Sequence, residues 1–319
     1  MKKKILITYQ IPKEGLTKLY DNYEVTYPDK TILSTEDMLE IISEYDAIIT
    51  VFGKKLDNKV IEKGTKLRII SNYGVGYDNI DINYAKEKGI IVTNTPNPVT
   101  EPTAEVAIGL MLSLMRRIGE CNNRLRTEKD FKWGIMENLG RTLSGKTLGI
   151  IGMGKIGKST AIKAKVFGMN IIYNNRNRLS SEIEHELGVK FVKFNELLET
   201  ADVISIHTPL SNETHHMLSE QEFSIMKPSV FIINTARGAV IDEKILIKYL
   251  QEGKIAGAGL DVFENEPNIP SELKKMNNVV IIPHIGTGTV ETRIEIAQVA
   301  SKNIIDYFEG KTSEFVVNK

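Results

Sequence analysis

The chain has 319 residues, 41% hydrophobic and 26% charged, with Lys+Arg and Asp+Glu both at 41. That length holds two domains with sizeable cores, and the balanced charge gives no overall pull toward nucleic acid or an anionic membrane, leaving only local basic patches as anion sites. Cys121 is the only cysteine, so no intramolecular disulfide forms and a reducing, cytoplasmic compartment is expected.

In chain order, "MKKKILITYQIP" offers an apolar run too short for a secretory signal and reads as a first strand. No apolar run approaches the length of a membrane span. The runs "KILIT", "YEVTYP", "AIITV", "RIISN" and "IIVTN" follow one another with helical segments such as "STEDMLEIISEY" between them. Unalternating β-branched runs bounded by turn residues suit strands buried on both faces, and their spacing suits βα units. A second series runs through "TLGIIG", "MNIIYNN", "VKFV", "DVISIH", "VFIINTA" and "NVVIIPH". Each series therefore predicts a doubly wound parallel sheet.

The join between the series falls at "NTPNPVTEPTAE", where Pro96, Pro98 and Pro102 punctuate a connection and Pro102 suits a helix's first turn. The helix that follows, "AEVAIGLMLSLM", is apolar on nearly every face, so it must be buried; a subunit interface is the expected place, with burial within its own chain the rival reading. The segment from about Thr289 is helical again and is expected to cross back to the first domain.

"TLGIIGMGKIG" sets Gly152, Gly154 and Gly157 directly after a strand and at the start of a helix. Glycine permits the tight turn, the approach of a pyrophosphate to bare backbone and close helix–strand contact, while the helix N-terminus presents unpaired N–H groups. A lone GxGxxG is a weak signal. Here the flanking strands and helix supply the context of a Rossmann dinucleotide site. The second strand of that site ordinarily ends in an acid that accepts from the ribose 2′-hydroxyl. At that place stands Asn175, followed by Arg176 and Arg178. Asn175 removes the repulsion of a 2′-phosphate and the two arginines add cations suited to it, so NADP(H) is expected over NAD(H), with NAD(H) the lesser option. The bland reading makes the arginines a solvated loop.

Three further stretches, "NTARGAVID", "GLDVFENEP" and "IIPHIG", come in order. With "NYGVGYDNID" upstream, the chain resembles the D-isomer-specific 2-hydroxyacid dehydrogenases over essentially its whole length, and among them the glyoxylate and hydroxypyruvate reductases. The resemblance implies that Arg237, Glu266 and His284 act together in catalysis. The chemistry accounts for these residue types. Reducing a 2-oxo acid needs hydride on the carbonyl carbon and a proton on its oxygen, which histidine can donate near neutral pH. A carboxylate beside the ring favours its protonated form and fixes its orientation. A guanidinium can hold the substrate carboxylate in a two-pronged contact and polarise the carbonyl.

The resemblance also implies that Val75 and Gly76 of "YGVGY" aim backbone N–H groups at the substrate carboxylate; a plain tight turn is the rival reading. It puts Lys155 and Ile156 at the pyrophosphate, Thr208 near the adenosine side, and Thr235, Ala236 and Asp261 near the nicotinamide. Thr103, His207, His284 and Gly286 complete the expected cofactor contacts, His207 as a cleft residue and not an acid. Glu264, two residues before Glu266, reads as a solvated carboxylate. His215 and His216 lack a second ligand set with metal spacing, so no metal is expected. Trp133 reads as core or interface packing, with a pocket-lining role, even in a partner subunit, as the rarer option.

The expectation is thus an α/β protein of two doubly wound parallel-sheet domains. A Rossmann cofactor domain, 99–286, is inserted into a smaller flavodoxin-like substrate domain, 1–98 plus 287–319, with the active site in the cleft between them. The expected reaction is NADPH-dependent reduction of a small 2-oxo acid, such as glyoxylate or hydroxypyruvate, by a homodimer formed through the cofactor domain. Two rivals remain: an NAD-dependent phosphoglycerate or D-lactate dehydrogenase, against which Asn175 speaks, and a non-catalytic dinucleotide sensor of the corepressor type, which the complete triad disfavours.

Overall fold

A computed structural model describes residues 2–51 and 55–319. The chain forms two compact units, one of residues up to Val99 together with Thr287–Lys319, the other Thr100–Gly286.

In the first unit the described residues form five parallel strands: β1 (Lys4–Ile7), β2 (Glu24–Thr26), β3 (Ala47–Val51), β4 (Ile69–Tyr73) and β5 (Ile91–Thr93), in the order β2-β1-β3-β4-β5. The β3 and β4 side chains are buried on both faces, which is why their sequences do not alternate. The helix Val290–Phe308 packs on this sheet: Ser71 Oγ donates to Ala300 O at 2.9 Å and Tyr73 Oη to Arg293 O at 2.6 Å. It therefore belongs to the first unit.

The second unit carries β6 (Thr147–Ile151), β7 (Asn170–Asn174), β8 (Val189–Phe191), β9 (Val203–Ile206), β10 (Phe231–Asn234), β11 (Gly257–Leu260) and β12 (Val279–Ile281). Its order among the described residues is β12-β11-β10-β9-β6-β7-β8, all parallel. This is the doubly wound arrangement, whose direction reverses between β6 and β9. Register brings Ile151 beside Ile206, so the turns after both strands, Gly152 and His207, emerge side by side at the reversal.

The apolar helix Thr100–Met115 lies within this unit, packed against Lys155–Val166 and the β10–β12 side of the sheet. Ala104, Ala107, Ile108, Leu110, Met111, Leu114 and Met115 are buried by the chain itself. Of the two sequence readings, the intrachain one accounts for its all-round apolarity. Trp133 is the reverse case: it is 80% exposed, so core packing in its own chain does not hold. Among the described residues no helix is long and apolar enough to cross a membrane.

Candidate active site

At the reversal point the glycine turn is shaped by backbone proximity. Gly152 has φ +96°, and a Cβ there would meet the His207 carbonyl carbon at 2.7 Å; one on Gly157 would meet Gly152 O at 2.2 Å. Over Gly154 there is open space, and no side chain caps the helix Lys155–Val166 that starts beyond it. Uncapped N–H groups beside bare backbone fit a pyrophosphate. Two buried side-chain atoms nearby, Thr235 Oγ1 and His207 Nδ1, have no hydrogen-bond partner among the described residues, as fits groups awaiting a polar ligand. Burial holds the His207 imidazole down to about 3, and its Nε2 pairs with Ser205 Oγ at 2.8 Å, so it is neutral and not an acid at ordinary pH.

Asn175 is tied into the same turn: its Oδ1 accepts from Met153 N at 2.6 Å. Arg176 is exposed and forms no hydrogen bond among the described residues. Arg178 departs from expectation. Its Nε and Nη2 bind Glu184 at 2.8 and 2.7 Å, and its guanidinium lies over the Phe191 ring at 5.5 Å. Tyr173 Oη also donates to Glu184 at 2.6 Å while accepting from Leu179 N at 3.0 Å. The fork that was expected to wait for a phosphate is committed to a carboxylate six residues on, a partner that pattern reading missed because Glu184 belongs to the next helix.

The catalytic candidates gather on three loops of the second unit. His284 Nδ1 lies 2.8 Å from Glu266 Oε2, and Glu266 Oε1 accepts from Phe263 N at 3.0 Å. Burial alone would raise the Glu266 carboxyl; the His284 hydrogen bond and charge, the Phe263 N–H and the Arg237 charge outweigh it, and the net direction is down. His284 adopts φ 51°, a left-handed conformation uncommon outside glycine. That bend is held by Asp261, whose two oxygens accept from Ile285 N at 2.6 Å and Gly286 N at 2.8 Å. Both oxygens of Asp261, for which a nicotinamide contact was expected, are therefore engaged in fixing the histidine loop. Its carboxyl is raised by burial, against those two N–H groups and the His284 charge. Thr103 lies alongside, about where a Gly286 Cβ would touch it at 3.5 Å.

Arg237 follows β10 at the end of a turn braced by Asn234, which accepts from Ala236 N at 3.0 Å and donates to Arg237 O at 2.9 Å. Asn234 and Asp261 are the supports that sequence reasoning undervalued; the signal was a polar residue closing each apolar strand at the carboxyl edge. Thr208 and Ile156 are half-buried around the glycine turn and Lys155 is exposed there. Glu264 is not solvated: it is half-buried and bonded to His216 Nε2 at 3.1 Å, because the turn 211–217 packs over it.

In the first unit, the loop after β4 is turned by its carbonyls. Asn72 Nδ2 donates to Gly74 O at 3.1 Å and Gly76 O at 2.7 Å, and Asn94 Nδ2 to Val75 O at 2.8 Å. The Val75 and Gly76 N–H groups have no partner among the described residues.

A doubly wound sheet with a glycine turn at its reversal, beside a histidine–carboxylate pair and an arginine, defines a dinucleotide-dependent oxidoreductase. The comparisons name the family. Residues 108–286 match the model for "D-isomer specific 2-hydroxyacid dehydrogenase, NAD binding domain". A glyoxylate reductase of Thermococcus litoralis is 46% identical, covering 100% of this chain and 98% of its own. Among solved structures, a glyoxylate reductase from Paecilomyes thermophila has TM-score 0.90 at 36% identity, covering 99% and 98%. An NADPH-dependent glyoxylate/hydroxypyruvate reductase from Sinorhizobium meliloti, in complex with NADP and malonate, has TM-score 0.86 at 30% identity, covering 99% and 97%. The chain belongs to the D-isomer specific 2-hydroxyacid dehydrogenase family.

Proposed function

We propose that the protein reduces a small 2-oxo acid of the glyoxylate or hydroxypyruvate type to the D-2-hydroxy acid, using NADPH in preference to NADH. The carrying observation is the 2.8 Å bond between His284 Nδ1 and Glu266, with Arg237 acting on the same carboxylate. A reduced nicotinamide supplies the hydride when bound. His284, backed by Glu266, donates the proton to the carbonyl oxygen from Nε2, and the same ring takes it back in the oxidative direction. Arg237 holds the substrate carboxylate, and the Val75 and Gly76 N–H groups are assigned to that carboxylate too. Residues 100–286 serve as the dinucleotide domain and the other unit as the substrate domain. Around the cofactor the reading assigns Gly152, Gly154, Lys155, Ile156 and Gly157 to the pyrophosphate, and Thr208 to the adenosine side. Thr103, Thr235, Ala236 and Gly286 are assigned to the nicotinamide side.

The NADPH preference rests on Asn175 and on Arg176, with Arg178 withdrawn by Glu184. One charge-assisted contact is worth about 1.5 kcal/mol at an exposed site, roughly 10-fold in efficiency. The NADPH dependence of the S. meliloti relative points the same way. A homodimer through the second unit is supported by Trp133, Ile135 and Met136, which are 80%, 94% and 79% exposed on one segment. A cytoplasmic location belongs to the same reading, supported by the single cysteine.

The test is turnover of a panel of 2-oxo acids by the purified protein with NADPH and with NADH. Glyoxylate or hydroxypyruvate is expected to react fastest, with higher kcat/KM on NADPH. No turnover on any 2-oxo acid overturns the reaction, and equal efficiency with both coenzymes overturns the preference. Light scattering during gel filtration decides the dimer.

A further inference from the structure

Behind the loop that carries Glu266 lies a second group of titratable residues that the proposed chemistry does not use. Glu264 Oε1 lies 3.1 Å from His216 Nε2, and its Oε2 accepts from Glu243 N at 3.4 Å. The exchange is reciprocal, for Glu243 Oε1 accepts from Glu264 N at 3.2 Å. Three separate segments meet there: the turn 211–217, the start of the helix Glu243–Gln251, and the loop after β11.

These segments also hold the turn that bears Arg237. His216 N donates to Ala239 O at 2.8 Å, and His216 takes a left-handed φ of 50° to do so. A Cβ on Gly238 would fall 1.9 Å from the Phe263 carbonyl carbon, so the Arg237 turn and the Glu266 loop touch backbone to backbone. Phe263 and Glu264 give their successive N–H groups to Glu266 and Glu243 respectively. The loop is thus gripped on one side by the working carboxylate and on the other by this cluster.

We infer that Glu264, gripped by His216 and Glu243, is a positioning residue that keeps the Glu266 carboxylate in register with His284. The inference rests on the catalytic reading of Glu266 and His284 above. Hydrogen bonds weaken steeply with distance and angle, and a misplacement of about 1 Å can cost up to 10²-fold in rate. Two carboxylates face His216: Glu264 at its Nε2, and Asp242, whose Oδ2 is 3.9 Å from its Nδ1, with the His215 ring stacked at 4.0 Å. Burial, then the Glu264 charge, pushes the Glu243 carboxyl up, against the hydrogen bond that it accepts from Glu264 N.

The experiment measures kcat and KM for glyoxylate and NADPH in Glu264→Ala, Glu264→Gln and His216→Ala, with His284→Asn as reference. Glu264→Ala is expected to lower kcat about 10-fold and leave the KM for NADPH unchanged. Glu264→Gln is expected to recover most of that loss. Its amide can donate to His216 Nε2 in the other tautomer while its carbonyl accepts from Glu243 N. A folded Glu264→Ala with parental kcat, or Glu264→Gln as impaired as Glu264→Ala, overturns the inference. Should Glu264→Ala not fold, His216→Ala decides by the same split: a several-fold fall in kcat at constant KM supports the role, and unchanged kcat removes it. The two readings separate cleanly. If His284→Asn abolishes turnover while Glu264→Ala does not alter it, only the positioning role falls. If His284→Asn retains turnover, the catalytic assignment itself falls, and the inference with it.

Discussion

His284 Nδ1 stands 2.8 Å from Glu266 Oε2, although 18 residues separate the two along the chain. The bond engages Nδ1 of the ring and one oxygen of the carboxylate; in the proposed reaction Nε2 transfers the proton. His284→Asn is expected to lower kcat about 10²–10⁴-fold, with retained NADPH binding measured by fluorescence titration. Loss of binding together with turnover would make the residue structural.

For Glu266 the sign with pH follows from its lowered carboxyl. The ionised form is favoured in the folded protein, so its contribution is complete above the ordinary value of 4.5 and is lost only as pH falls below that. The acid limb of kcat/KM due to Glu266 is therefore expected below 4.5. Glu266→Gln is expected to lower kcat about 10²-fold and to remove that limb. A Glu266→Gln profile with the parental acid limb would assign the limb to another group.

Arg237→Lys keeps the charge and loses the planar fork. The expected result is a fall in kcat/KM of about 10²-fold, expressed in both kcat and the KM for the 2-oxo acid, with the KM for NADPH unaltered. Parental kinetics in this variant would dissociate Arg237 from the substrate.

The two arginines after β7 are expected to behave differently. Arg176→Ala should lower kcat/KM with NADPH about 10-fold and leave NADH unchanged. Arg178→Ala should leave the NADPH-to-NADH ratio unchanged and lower Tm, because its partner is Glu184. A collapse of the coenzyme ratio in Arg178→Ala would show that the ion pair opens for the coenzyme.

Glu184 supplies a pH test of the same ion pair. Its hydrogen bonds from Arg178 and Tyr173 hold the carboxyl down to about 2, against the ordinary 4.5. A lowered carboxyl stabilises the fold above its unfolded value and loses that contribution as pH falls through the folded one. The Tm difference between the parent and Glu184→Gln is thus expected to be constant above 4.5 and to close as pH drops toward about 2. A difference independent of pH would mean that the pair contributes nothing through its charge.

Several features were legible in the sequence because they depend on residues close together in it. Runs such as "AIITV" and "FIIN" are β strands buried on both faces, and Gly152 and Gly157 of "GMGKIG" sit where the backbone passes within contact of its neighbour. Arg237, Glu266 and His284 stood out because the three stretches that carry them, in order, resemble one family's pattern; singly, each reads as an ordinary structural or surface residue. What stayed hidden was the pairing of side chains across elements. Glu264 looked solvated because nothing near it in sequence covers it; the turn carrying His216, 48 residues upstream, does so in space.

The local order of strands, turns and helix caps, and with it the doubly wound class, was determined by the amino-acid sequence alone, since periodicity and backbone sterics act over a few residues. Only tertiary structure decided which charged groups remain available. Arg176 and Arg178 are two positions apart, chemically alike and both exposed, yet only Arg178 is bound to Glu184 and laid over Phe191. A hydrogen bond depends on distance and angle in space, and those are set by the packing of helices on the sheet.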